Sequence, residues 1–245
     1  MLDISSNLKS SSSALMQEYH AITHNIANAN TAGFKRRASS FSGKLAEQTA
    51  KYGTGNSPAN KIEFKSEIDF TQGNLNKTER PLDLAIKGEG FFVIESPDKT
   101  EYTRNGQFSR DSNGQITDYQ GRLVSGENGP INIPAGISDS ELVITGDGRV
   151  MAGGAAIGKI RMVEFGDDIE KLTPAGDNCF VAPEGVSPVP SEHSSVEQGY
   201  RESSNVDVVR ETINLMTVSR MYEASMKVMG KKSDSVKAIL DVAMG

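Results

Sequence analysis

The sequence has no tryptophan and a single cysteine, Cys179, so no disulfide within the chain can stabilise its fold. Cys179 is read as a small buried side chain rather than a reactive thiol. Aromatic residues make up 6% and hydrophobic residues 36%, which is lean for a chain that buries all its apolar surface within itself. Part of that surface is therefore expected to be covered by partners. No apolar run approaches the ~20 residues of a membrane span, so the chain is not expected to be membrane-spanning. The N-terminus lacks a basic stretch followed by an apolar run, and no Sec-type signal peptide is expected.

Excess positive charge is also missing. Lys+Arg against Asp+Glu runs 10 to 7 over residues 1–80, 9 to 19 over 81–200 and 7 to 6 over 201–245. An acidic middle between nearly neutral ends offers no stripe for phosphates, so nucleic acid is excluded as a partner.

What is present is periodicity at both ends. Leu8, Leu15, Ile22 and Ala29 recur every seven residues, with Ser12, Tyr19 and Ile26 four later. Such spacing keeps one seam on one side of a helix and invites a partner helix. Asn28, Asn30 and Gly33 then supply a stop. Val208, Leu215, Tyr222, Met229, Val236 and Ala243 repeat the pattern more strongly, with Val218, Met226, Ile239 and Leu240 widening the stripe. A helix over about 205–243 would be roughly 55–60 Å long at ~1.5 Å per residue. Ser203 or Ser204 is the expected cap, with Asp207 in the first turn.

Between the ends, short apolar runs such as Phe91–Ile94, Leu142–Ile144 and Ile160–Val163 alternate with the turn dipeptides Asn105-Gly106, Asn113-Gly114, Asn128-Gly129 and Asp147-Gly148. This reads as an antiparallel sandwich or barrel. The expected organisation is an N-terminal helix over 1–34, an extended connector over 35–80 with a strand around Ile62–Phe64, a β-domain over 81–200 and a C-terminal helix over 201–245. The fold class expected is α+β, with the long N- and C-terminal helices forming a coiled-coil-like stalk beside a central antiparallel all-β domain.

Catalytic chemistry is thin. His20 and His24 share one helix face, but Ala21 stands where a zinc protease has Glu, and no cysteine lies near. His193 has no evident acid or nucleophile beside it. Asp111–Thr117 begins like a calcium loop, yet Ile116 and Arg122 occupy the positions needing Gly and Glu. Gly88-Glu89-Gly90 runs into a strand rather than the helix a phosphate loop must open. No catalytic, metal or cofactor site is expected, and cofactors are expected to be none. Association through the helices is what remains.

One stretch is more specific. Asn25-Ile26-Ala27-Asn28-Ala29-Asn30-Thr31-Ala32-Gly33-Phe34-Lys35-Arg36 resembles the N-terminal signature of flagellar rod and hook proteins. Gly73–Leu75 with Leu82–Val93, then Tyr102–Phe108, then Glu202–Asp207 and Arg220–Glu223, resemble further blocks of that family in order along the whole chain. Gly129–Pro134, Gly158–Val163 and the short connector resemble its proximal-rod branch, with the distal-rod branch next. The resemblance implies a structural subunit of the basal-body rod that is not an enzyme. It would leave the cell through the flagellar type III export apparatus without a cleaved signal peptide. In the periplasm it would assemble with other rod subunits, its β-domain outward. The interface residues expected are Leu8, Leu15, Tyr19, Ile22, Asn25, Ile26, Asn28, Gly33, Phe34, Val208, Leu215, Tyr222, Met229 and Val236. Two other readings compete: a peptidoglycan-acting enzyme with two carboxylates across a cleft, and a generic coiled-coil adaptor.

Overall fold

A computed structural model describes residues 2–39, 66–96, 99–191 and 193–244, with side chains in the terminal helices described over 10–27 and 208–231. The strand expected around Ile62–Phe64 lies outside the described residues. The chain divides into two compact units. One comprises Met1–Ala27, Arg37–Asp69 and Val206–Gly245; the other comprises Asn28–Arg36 and Phe70–Asn205.

The second unit is antiparallel β. Its main sheet runs Thr173–Gly176, Cys179–Val181, Thr100–Thr103, Phe91–Glu95, Leu123–Gly126, Ile116–Thr117, Ser109–Arg110. Met162–Glu164 and Gly129–Pro130 join at its flanks, and Leu142–Ile144, Arg149–Ala152 and Ala155–Lys159 form a separate three-stranded sheet. Strand Phe91–Glu95 explains the continuous apolar run. Side chains alternate between faces, and both of its faces are covered. Phe92 and Ile94 enter the main core with Leu84, Ile86, Phe108 and Val124. Phe91 points the other way, edge-on to Phe70, Phe165 and Phe180.

Turn chemistry sets much of the register. Gly114, Gly129 and Gly148 all adopt the left-handed backbone that their dipeptides favour. The Asp111 carboxylate accepts the N–H groups of Asn113 and Gln115, so the calcium-like stretch is a closed turn. Asn105-Gly106 is the exception. Gly106 lies against the strand Leu84–Lys87, its carbonyl accepting the Leu84 N–H at 2.9 Å. A Cβ there would lie 1.8 Å from the Leu84 carbonyl oxygen. Close approach, not a hairpin, is why glycine stands at that position.

The first unit holds one helix from each end of the chain, α1 (Leu2–Ala27) and α2 (Val208–Met244), with strand Arg37–Ser39 paired to Ser66–Ile68. α2 is capped by Asp207 rather than by Ser203 or Ser204. The Asp207 carboxylate accepts the Val209 and Arg210 N–H groups at 3.0 and 3.1 Å.

The expected coiled-coil-like stalk is corrected here. Among the described residues the elements are mostly β-strands, with a single helix at either end. Among the described side chains, the buried contact between the helices is a patch of Ala14, Leu15, Ile22 and Val218, with Ile26, Leu215 and Tyr222 against it. Val208 and Met226, both on the expected stripe, are exposed. Ala29 lies beyond the end of α1. The physical reason is the filling of the seam. Ser12 stands on the seam and Ala29 falls beyond the helix end, which leaves too little apolar volume for knobs to enter holes along its length.

Replacing Gly106 with Ala is expected to lower stability by about 1–3 kcal/mol, because the Leu84 strand must shift to admit the methyl group. A urea midpoint equal to that of the wild type, followed by near-UV circular dichroism, would contradict this close approach.

Candidate functional site: terminal helices and a buried ion cluster

Helix α1 brings several of the expected interface residues inward. Leu15 and Ile22 are buried against Val218, and Ile26, Leu215 and Tyr222 are half-buried beside them. Ser12 shares a 3.0 Å hydrogen bond with Ser225 and donates to the Met229 sulfur at 3.8 Å. Tyr19 and Val208 are exposed, at 37% and 45%. Leu8 and Val236 lie outside the described side chains.

Asn25 is fully buried and does the work of a strand neighbour. Its amide donates to the Arg37 carbonyl and its carbonyl oxygen accepts the Arg37 N–H, both at 2.9 Å. The same amide reaches the Glu211 carboxylate of α2 at 3.3 Å. Ser12 thus meets Ser225 while Asn25 meets Glu211, so the two helices run antiparallel.

Asn28, Gly33 and Phe34 belong to the β unit. The Asn28 side chain accepts the Thr31 hydroxyl at 3.2 Å, and the Asn28 carbonyl accepts the Thr31 N–H at 3.1 Å. Gly33, at φ +66°, presses on the Arg104–Asn105 backbone, where a Cβ would lie 2.4 Å from the Asn105 nitrogen. Its N–H donates to the Glu202 carbonyl at 2.9 Å. Phe34 is buried beside it.

This turn delivers Lys35 to a cluster that periodicity does not reveal. The Lys35 ammonium lies 2.7 Å from the Glu202 carboxylate, and both side chains are almost wholly buried. It also donates to the Thr71 carbonyl at 2.7 Å, and the Gly73 N–H donates to Glu202 at 3.0 Å. Arg104, equally buried, sits 3.6 Å from the other Glu202 oxygen and 4.9 Å above the Phe91 ring. Burial pulls the Arg104 guanidinium below its ordinary pKa, and the Glu202 charge pulls it back. The Asn205 side chain accepts the Arg36 N–H at 2.7 Å and donates to Thr71 at 3.1 Å. Of the four residues that bound the β unit, 28, 36, 70 and 205, the network includes Arg36 and Asn205 and reaches Thr71 beside the third. Lys35, Arg104 and Glu202 all stand in the blocks that carry the family resemblance, which is the signal that marks them.

Arg122 pairs with Asp118 and Glu101 and approaches the Cys179 sulfur at 3.2 Å. Burial pushes the Cys179 thiol up to about 11, with Arg122 partly offsetting it. Burial, and then the Arg37 charge, hold His24 below the usual histidine value. Among the described residues, no three metal-ligating side chains converge.

Glu202→Gln is expected to cost about 3–5 kcal/mol, since it strands two buried cations. Lys35→Met costs less, because Arg104 and the Gly73 N–H still face the carboxylate. A double-mutant cycle by urea unfolding checks the order, and equal single losses would remove Arg104 from the balance. Cys179 is expected to resist alkylation at pH 8, where a thiol of pKa near 11 is ionised to about one part in a thousand. Rapid iodoacetamide labelling of the folded chain would contradict that burial.

The family model described as the flagellar hook protein FlgE/F/G D1 domain matches residues 85–152, and that of the flagellar basal body rod FlgEFG protein C-terminal matches 197–241. The chain is 34% identical to the flagellar basal-body rod protein FlgG of Agrobacterium fabrum, covering 84% of this chain and 86% of the relative. It is 31% identical to the flagellar basal-body rod protein FlgF of Caulobacter vibrioides, covering 93% and 92%. With FlgF of Salmonella typhimurium the identity is 30%, over 83% of each chain. At these identities and coverages the chain belongs to the flagellar basal-body rod proteins, and it is a structural subunit of the rod.

Proposed function

We propose that the chain is a FlgF-type subunit of the proximal rod, that it reaches the periplasm unfolded through the flagellar type III exporter without losing an N-terminal segment, and that it assembles there through its terminal helices with other rod subunits. It has no catalytic role of its own in this reading. One observation carries the assembly step. Most of the large apolar side chains left exposed among the described residues lie on α1 and α2, while the β unit buries Leu84, Ile86, Phe92 and Ile94 completely. A unit that fills its own core and a helix pair that does not are what an assembling subunit requires.

Export favours the same division. Isolated helices are marginal in water, so helices that gain most of their stability from neighbours stay unfolded until they reach them. The FlgF branch is supported by the near-complete coverage, in both directions, of the Caulobacter relative.

Expression in strains lacking FlgF or FlgG, with motility and basal-body imaging, tests the placement. Rods are expected to be restored in the FlgF-deficient strain only, with full-length chain found outside the cytoplasm. Restoration of the FlgG-deficient strain alone would move the subunit to the distal rod. An intact basal body in the parent organism after deletion of its gene would remove it from the rod.

A further inference from the structure

Of the seven large apolar side chains exposed on α2, Val209, Ile213 and Met216 fall in one line, while Val208, Met221, Met226 and Val228 lie to either side of it. The side facing α1 recurs at Glu211, Leu215, Val218 and Tyr222, then at Ser225 and Met229, in alternating steps of four and three. Val209, Ile213 and Met216 repeat the same steps about 160° around the helix from that side, at 100° per residue. They are 71%, 59% and 58% exposed. The line then continues as Arg220, Glu223 and Lys227, so the apolar stripe ends in charge after about two turns. α1 carries a smaller counterpart. Met16 and Tyr19, 36% and 37% exposed, lie off the side that holds Ala14, Leu15 and Ile22.

We infer that the Val209–Ile213–Met216 stripe is the docking surface for the Met16–Tyr19 face of a second copy of this chain. This deepens the rod-assembly reading above and rests on it for the choice of occupant. The area is one argument. Three such side chains present on the order of 300 Å² of apolar surface, well short of the ~800 Å² per partner of a standard stable interface. A single contact of that size is weak and pairs two copies only at high concentration, up to millimolar. Geometry is the other. Stripe against stripe would be a two-fold pairing that closes on itself and consumes the surface. A stripe meeting a different face leaves one free face of each kind at every step, which an open array needs.

Sedimentation of the full-length chain, with two blocking substitutions, tests this. Ile213→Lys removes the stripe and leaves the α1 face; Tyr19→Lys does the opposite. Both sites are solvent-exposed, and unchanged helical circular dichroism and thermal unfolding verify the fold. The wild type is expected to associate with rising concentration without stopping at dimer. Each variant alone should associate at least tenfold more weakly, and an equimolar mixture should form a one-to-one dimer that grows no further. Self-association of Tyr19→Lys equal to that of the wild type would mean stripe-on-stripe pairing and overturn the inference. So would a mixture that stays monomeric, or a wild type that stays monomeric at millimolar concentration. If the pairing holds while no rod-deficient strain is restored, the rod placement fails and the docking surface stands.

Discussion

The interaction on which the β unit depends is the burial of the Glu202 carboxylate between Lys35 and Arg104. A carboxylate fully removed from water carries a penalty of several kcal/mol, recovered only if every lone pair finds a donor. Its neighbours come from far apart: Lys35, from the turn after α1, and Gly73, from the segment leading into the β unit, donate to one oxygen, while Arg104, from beyond the strand Thr100–Thr103, faces the other at 3.6 Å as a charge and not as a hydrogen-bond donor. The cluster therefore adds less net stability than its distances suggest. What it adds is a condition: all three segments must be in place, in one register, or a charge is stranded.

Other features of the unit follow from that condition. Gly33 must be glycine because the turn that carries Lys35 inward runs against the Asn105 backbone at positive φ. Phe91 must face away from the main core because its ring supports Arg104. That orientation in turn places Phe92 and Ile94 on the opposite face, where the larger core lies. One strand buried on both sides thus links the ion cluster to the packing that dominates the fold energetically.

Several of these elements can be read from the residues alone, for stated physical reasons. Asn128-Gly129 and Asp147-Gly148 announce turns because positive φ is costly for other residues, and their glycines adopt it. The run Phe91–Ile94 announces a strand, since four apolar residues bounded by glycine and charge are too few for a helix. Periodicity at the ends marks helices yet overstates their mutual packing. A seven-residue repeat identifies a face; it does not say whether Ser12 and Ala14 leave enough volume to fill a long seam. Asn105-Gly106 misleads because the same dipeptide serves a tight crossing as well as a hairpin. The ion cluster is invisible to pattern because no period relates Lys35 to Glu202, and each alone reads as an ordinary surface charge. Asn25 is marked by the family resemblance, but its partner is hidden for the same reason: Arg37 is twelve residues on, where no helical or strand spacing links them.

That separation bears on how such a chain becomes a folded subunit. Lys35 and Glu202 stand 167 positions apart, and the Asn25–Glu211 contact of the helix pair spans 186. Contacts this distant form late, because the entropy of closing the loop precedes any gain from the contact. A chain that emerges N-terminus first lacks Glu202 until most of its length has emerged. Until then Lys35 and Arg104 have no buried anion to meet, so both favour water over the interior. The turn carrying Lys35 has little reason to dock on the β unit before that moment. The helix pair is constrained in the same way, since α2 supplies Val218 and Glu211 last of all. Placing the decisive partners near the two ends thus keeps a partial chain open and lets only a complete one close.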